Sequence, residues 1–243
     1  MVDPSKPGEL VVVLVRPRNP LNIGAAARAM SNFGFRRLRV VNPYEVAFRD
    51  ARSAVGAAEL LLQAEEYSTV SEAIADCGLV VGTTAVHRRV LQNPLRRLDE
   101  DGGRVIREEI SSGRVALLFG SEKVGLSTAD FTHCQWLLHV PTRQDHISMN
   151  LGQAVAVCLY EIARSIDVDQ PAEAVQRATA GEVELITSIL LDALRVSGYV
   201  KSGTEVVMEE KARRLVRRMN LQPGEATVWL SMLRQIAWKL GIK

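Results

Sequence analysis

Three short stretches hold the residues whose types and spacing could do chemistry. In the first, Arg16-Pro17-Arg18-Asn19-Pro20 precedes Asn22 and Arg28, setting three guanidiniums around the start of one helical pattern. A helix N-terminus beside cations is a natural seat for phosphate. The second, Gly120-Ser121-Glu122-Lys123-Val124-Gly125-Leu126-Ser127, follows an apolar run and can present backbone amides. The third, Ser148-Met149-Asn150-Leu151, places a hydroxyl and a side-chain amide at the head of another helical pattern. Loops released from strand ends are where open α/β sheets hold ligands.

Several familiar chemistries are excluded. No Lys-Ser/Thr follows Gly125, so the second stretch is not a Walker loop, and no GxGxxG follows the first apolar run. His133, Cys134, His139 and His146 match no common zinc spacing, and no metal is expected. Asp145-His146 with Ser148 lacks the GxSxG elbow of a hydrolase.

The elements that must position these stretches follow from apolar patterning. Leu10–Val15, Val115–Phe119 and Trp136–Val140 are apolar runs, the pattern of parallel strands buried on both faces; Leu38–Val41 reads as the second strand, and Leu79–Thr84 as a further buried strand closing in glycine and hydroxyls. Helical spacing marks Asn22–Met30, Ala51–Gln63, Ser71–Asp76 and Asn150–Arg164; Asn19 or Asn22 can cap the first, and Pro20 suits its opening turn. Tyr67–Val70 reads as an edge strand or turn, and Pro94–Gly103 as loop. Strands alternating with helices give an α/β domain over residues 1–165. A linker, 166–181, leads to an appendage, 182–243, with helices over Glu182–Ser197, Val206–Met219 and Glu225–Leu240.

Net charge is +2, unevenly spread: residues 1–40 and 201–243 each carry +5, and the middle −8. Basic ends around an acidic middle suit a polyanion gripped at two places. Lys211, Arg213, Arg214, Arg217 and Arg218 crowd one predicted helix, which should present a basic face. The three cysteines lack CxxC spacing and fit free thiols in a reducing cytoplasm. Leu10–Val15 is too short for a leader and ends in Arg16, and no apolar run reaches membrane-spanning length.

Together the segments Asn22–Ala29, Leu118–Ser127 and Ile147–Val155 resemble the SpoU class of SPOUT RNA ribose methyltransferases, in order and separation, over residues 10–164. Lys123-Val124 and the helical tail look like the TrmJ-type branch, which methylates the ribose at position 32 of the tRNA anticodon loop. The resemblance implies a mostly parallel, trefoil-knotted sheet flanked by helices, S-adenosylmethionine as cofactor, and a cytoplasmic homodimer with composite active sites. It places Thr83, Thr84, Gly120, Glu122, Gly125, Leu126, Val140, Ser148, Asn150 and Leu151 around the cofactor. Arg28 matches the motif arginine given a catalytic role, with Asn22 beside it. Arg16, Arg18, Arg28, Lys211, Arg213, Arg214, Arg217 and Arg218 would hold RNA.

A ribose 2′-hydroxyl must lose its proton as it attacks a sulfonium methyl in line. Arginine carries no acceptor, so Arg28 reads as a clamp on the adjacent phosphate that stabilises the developing alkoxide. Asn22, Ser148 or Glu122 would orient the hydroxyl. The rival readings are a SpoU-type enzyme acting on ribosomal RNA or another tRNA position, and a catalytically silent RNA-binding protein on the same scaffold.

Overall fold

Leu10–Val15 forms β1, buried at all six positions as an unalternating apolar run requires. The computed structural model describes residues 9–53, 58–85, 91–143, 145, 148–164 and 176–242, without the side chains at 49, 52, 53 and 58. His146 and the linker stretch 167–171 lie outside them. Among the described residues six further strands join β1 in one sheet: β2 (Arg37–Val41), β3 (Glu65–Tyr67), β4 (Leu79–Thr84), β5 (Leu95–Arg97), β6 (Val115–Phe119) and β7 (Trp136–His139). Their order is β3-β2-β1-β6-β4-β7-β5, and every pair is parallel. Val12 lies opposite Leu38 on one side and Leu117 on the other. β6 is inserted between β1 and β4, and β7 between β4 and β5, so the loops leaving β1, β4, β6 and β7 gather at one edge of the sheet.

Alternate strand residues serve two helical layers. Leu10, Val12, Leu14, Leu117 and Phe119 pack with α1 (Pro20–Asn32), α2 (Glu45–Ser53), α3 (Ala58–Leu62), α5 (Gly103–Ser112) and α7 (Leu151–Ala163). Val11, Val13, Val80 and Leu118 pack with α4 (Val70–Ala73), α6 (Thr128–Thr132) and the first turn of α8 (Ala180–Val196). Asn19 caps α1, and Pro20 opens it. Small residues let α1 and α7 approach closely: a Cβ on Gly152 would lie 2.6 Å from the Ala25 methyl.

The structure departs from expectation around β3, where the strand is Glu65–Tyr67 in place of the edge strand or turn read over Tyr67–Val70, and at the elements that follow. The helix read over Ala51–Gln63 is divided between α2 and α3, with 54–57 outside the described residues. Leu95–Arg97, read as loop, is an edge strand on β7, and Leu98–Gly102 makes a π-helical turn into α5. The three strand residues carry two arginines, a composition that suits an exposed edge and hides it from apolar patterning.

α8, α9 (Glu205–Arg218) and α10 (Pro223–Lys239) share a small core around Val183, Ile186, Val216 and Leu233. The bundle is docked on the sheet domain. Ala180 and Gly181 donate backbone N–H bonds to Cys77 and Ala75, and Arg177 holds Glu109 through two bonds. The basic face expected of α9 is corrected by its packing. Arg217 is 2% exposed and donates to the Ala180 carbonyl, Arg213 pairs with Glu184 and Glu209, and Arg214 is buried. Only Lys211 and Arg218 of the five are exposed. Among the described residues no helix is long and apolar enough to cross a membrane, and all three cysteines are free and buried.

Candidate active site

The loop after β6 closes on itself because its first residue has no side chain. A Cβ on Gly120 would lie 2.0 Å from the Gly125 carbonyl carbon and 2.1 Å from the Leu126 nitrogen. Ser121 and Gly125 bridge, Gly125 donating to the Ser121 carbonyl at 2.8 Å, and Gly125 takes a φ of 68°. The resulting turn pushes Glu122 toward the start of α1.

Glu122 joins the motifs. Its carboxylate accepts the Arg18 and Asn19 backbone N–H groups, both at 3.1 Å, and the Asn22 side-chain amide at 3.0 Å. Asn22 Oδ1 accepts the Asn150 amide at 2.7 Å, and Asn150 Oδ1 caps α7 through Gly152 at 2.9 Å. The polarity of this relay is forced. A carboxylate only accepts and a helix N-terminus only donates, so both asparagine orientations between them are fixed. Burial raises the Glu122 pKa, but hydrogen bonds from its own amide, Asn22, Arg18 and Asn19 outweigh it and hold the carboxyl below its ordinary value. A carboxylate so occupied is a poor proton acceptor at neutral pH and a good anchor.

A second clamp lies at the other end of the loop. Arg16 leaves β1 at a φ of 53°, a left-handed conformation that costs a non-glycine residue about 1 kcal/mol. Its amide donates to the Val41 carbonyl, and its guanidinium makes two bonds to Asp130. Asp130 also accepts the Ser127 amide and hydroxyl, completing the capping box of α6. Burial raises the Asp130 pKa, but Arg16 and Ser127 overcome that and lower it. Arg16, expected among RNA ligands, is therefore engaged inside the protein, and it fixes where the loop ends.

Between these clamps lies a cavity of about 570 Å³. Of the residues expected around a cofactor, Thr83, Thr84, Gly120, Glu122, Gly125, Leu126, Val140, Ser148 and Leu151 line it. Asn150 does not; it stands behind the wall as the α7 cap. Thr83 Oγ1 donates to the Leu118 carbonyl, and Ser148 is exposed with no hydrogen-bond partner among the described residues. Phe119, Leu138 and Met149 also line the cavity and were missed, although each sits in or beside a stretch singled out in the sequence. Phe131 was missed with the whole of α6, whose only signal is the Ser127-x-x-Asp130 capping pattern.

Arg28 does not reach this cavity. It is exposed on α1, six residues and about 240° around the helix from Asn22, without a partner among the described residues. The exposed face of α1 also carries Leu21, 78% exposed, and the neighbouring α7 shows Val157 and Tyr160 to solvent.

Comparison with known proteins places this geometry. Residues 9–160 match the sequence profile of the SpoU rRNA Methylase family. The chain is 31% identical over 231 residues to the tRNA (cytidine/uridine-2'-O-)-methyltransferase TrmJ of Sodalis glossinidius, covering 93% of this chain and 90% of that one. It superposes on the crystal structure of TrmJ from Z. mobilis ZM4 with a TM-score of 0.81 and 31% identity, over 93% of this chain and 98% of that one. The SpoU methyltransferase AviRb from Streptomyces viridochromogenes, solved in complex with AdoMet, shares the fold at a TM-score of 0.51 and 24% identity, over 66% of this chain and 59% of that one.

Proposed function

The chain belongs to the SpoU rRNA Methylase family, and from that premise we propose that it transfers a methyl group from S-adenosylmethionine to a ribose 2′-hydroxyl of tRNA, at position 32 of the anticodon loop. The observation that carries the site assignment is the unbroken relay from Glu122 through Asn22 and Asn150 to the first turn of α7. It binds three distant stretches of chain around one cavity. Against ribosomal RNA as substrate stands the length of the match: 231 residues aligned to a tRNA methyltransferase extend past the catalytic domain into the appendage.

The cavity suits the cofactor. Its apolar walls, Phe119, Leu126, Leu138 and Leu151 among them, can flank a purine, main-chain groups of the Gly120 loop can read its edges, and the Glu122 carboxylate suits a cationic ligand. Bound there, the cofactor supplies an electrophilic sulfonium methyl. The protein's own part is placement. The Glu122–Asn22–Asn150 relay holds the β1–α1 loop rigid, so that the Ser148 hydroxyl is free to accept or donate to the ribose hydroxyl. Orientation of this kind lowers a barrier by several kcal/mol, on the order of 7 or more when complete. Arg28 is proposed to enter from a partner subunit, where its guanidinium would clamp the neighbouring phosphate and stabilise the forming alkoxide. Leu21, Val157 and Tyr160, exposed on the α1–α7 face beside it, support a homodimer through that face. The trefoil crossing of the family, a cytoplasmic setting, and RNA contacts from Arg18, Lys211 and Arg218 complete the proposal.

The test is ribose-methylation mapping of unmodified tRNA incubated with the protein and S-adenosylmethionine. Full 2′-O-methylation at position 32 is expected. Methylation only at other positions, or only of ribosomal RNA, would replace the substrate assignment.

A further inference from the structure

We propose that a second cavity, which shares Phe131 with the first, receives one unpaired nucleotide of the RNA substrate near the methylated one; this rests on the RNA-methylating reading above. The cavity measures about 440 Å³ and lies where three parts of the chain meet. Leu91, Gln92 and Asn93 of the β4–β5 strap form one wall, Ser127, Thr128 and Phe131 a second, and Arg214 of α9 the third.

Each wall is fixed before any ligand arrives. Asn93 donates its amide to the Phe131 and Cys134 carbonyls at 3.1 and 2.9 Å, tying the strap to α6. Arg218 donates to the Gln92 carbonyl, tying the strap to the appendage. Preorganisation of this kind spares a ligand the entropy of ordering its site.

The lining has the chemistry of a nucleotide. Leu91 and Phe131 offer apolar faces for a base. Gln92, Ser127 and Thr128 offer amide and hydroxyl groups at its edges. Arg214 offers the cation. Its burial, at 7% exposed, needs a reason, because its hydrogen bond to Glu210 is long at 3.4 Å. A guanidinium has five N–H donors, and one marginal bond leaves most of that fork for an occupant of the cavity. Its neighbours on α9 do not line this cavity: Arg213 is held by Glu184 and Glu209, and Arg217, buried beside α8, donates to the Ala180 carbonyl and keeps two further nitrogens without a partner. A hollow this small holds a single nucleotide and excludes a duplex. Unpaired bases stacked on aromatic walls, with phosphate on arginine, are how proteins read single-stranded RNA. Phe131 borders both cavities, so a nucleotide held in the second lies about one aromatic side chain from the cofactor in the first, within reach of the strand that carries the methylated ribose.

The experiment compares the wild-type chain with Thr128→Trp, which fills the cavity from its exposed rim, and Arg214→Met, which removes the charge and keeps the stem. Three quantities are read on the full-length protein: S-adenosylmethionine affinity by calorimetry, KM and kcat for tRNA methylation, and the salt dependence of tRNA binding. Both variants should keep wild-type cofactor affinity and raise the tRNA KM roughly tenfold, the scale of one lost base contact. Arg214→Met alone should flatten the salt slope by about one ion. A folded Thr128→Trp protein with wild-type tRNA KM overturns the inference, as does an Arg214→Met protein with an unchanged salt slope. If the wild-type chain methylates no tRNA ribose, the parent reading fails instead, and that result is separately visible.

Discussion

Replacing Gly120 by alanine should remove cofactor binding and leave the protein folded, and the size of the effect follows from the loop. The new methyl carbon would stand 2.0 Å from the Gly125 carbonyl carbon, a backbone atom that no rotamer change can move. Ordinary carbon contacts begin near 3.5 Å, so the two limbs of the loop must part by roughly 1.5 Å. Parting them breaks the Gly125-to-Ser121 hydrogen bond, worth about 1 kcal/mol net. It also displaces Leu126, whose buried side chain contributes about 1.5–3 kcal/mol. Together these amount to roughly 2.5–4 kcal/mol, or about a 60- to 1,000-fold loss of affinity. Gly125→Ala is the control. Its Cβ meets nothing within 4 Å, and only the φ of 68° opposes it, a cost of about 1 kcal/mol and roughly a fivefold loss. Calorimetry with S-adenosylmethionine, beside thermal melts of each variant, separates the two. If Gly120→Ala binds within threefold of wild type, or if the two alanines are equally harmful, the closed loop is not what shapes the pocket.

Three further perturbations follow from the same geometry. Arg28→Ala should lower kcat for tRNA methylation by about 100-fold or more with cofactor affinity unchanged. Mixed with Gly120→Ala it should recover about a quarter of wild-type sites if Arg28 acts across the dimer, and none if it serves its own subunit. Glu122→Gln must set an N–H against the donors of Arg18, Asn19 or Asn22, and at this exposed site should cost about 1–2 kcal/mol, a 5- to 30-fold fall in kcat/KM. Because the folded carboxyl titrates below the unfolded one, its contribution is full above about pH 4.3 and fades in acid; an effect that grew in acid would contradict the anchor role. His133, at the seam between α6 and the appendage, has its pKa lowered to about 4 by burial and by Arg213 and Arg217, against the opposing pull of Glu184 and Asp130. Folded below its unfolded value near 6.5, it stays neutral where the unfolded chain binds a proton, so stability should fall as pH drops from about 6.5 to 4, by at most about 3 kcal/mol. His133→Phe should flatten denaturation midpoints across that window; an unchanged slope would clear His133 of the effect.

The sheet was legible because β1 and β6 are uniform apolar runs and β2, β4 and β7 are apolar over most of their length. Leu95–Arg97 was not, and Glu65–Tyr67 only at its last residue, where an edge strand or turn was expected over Tyr67–Val70: three residues each, charged, and paired on one side only, they offer little pattern to read. The cavity was legible because glycine at 120 and 125 and the Ser148–Asn150 pair are residues whose chemistry implies a use. Phe131 was hidden since an aromatic in a five-residue helix looks like any core residue.

Sequence alone could not sort the arginines, because pairing depends on which carboxylate the fold brings within reach. Arg16, Arg18 and Arg28 look equivalent around one helix start, yet they take three different parts. Arg16 is spent on Asp130, 114 residues away. Arg18 contributes its backbone amide to Glu122 and leaves its side chain in solvent. Arg28, like the Arg18 guanidinium, has no side-chain partner among the described residues, and it stands on the outer face of α1. The same sorting divides α9, where Arg213 and Arg217 are consumed at the joint with the sheet domain. A count of positive charge overstates the surface available to RNA by every guanidinium that holds the protein together. Salt dependence should therefore report fewer phosphate contacts than the +5 of either terminus suggests, since each contact contributes close to one ion to the slope. A slope matching all of the arginines would mean that the Asp130 and Glu184 clamps open when RNA binds.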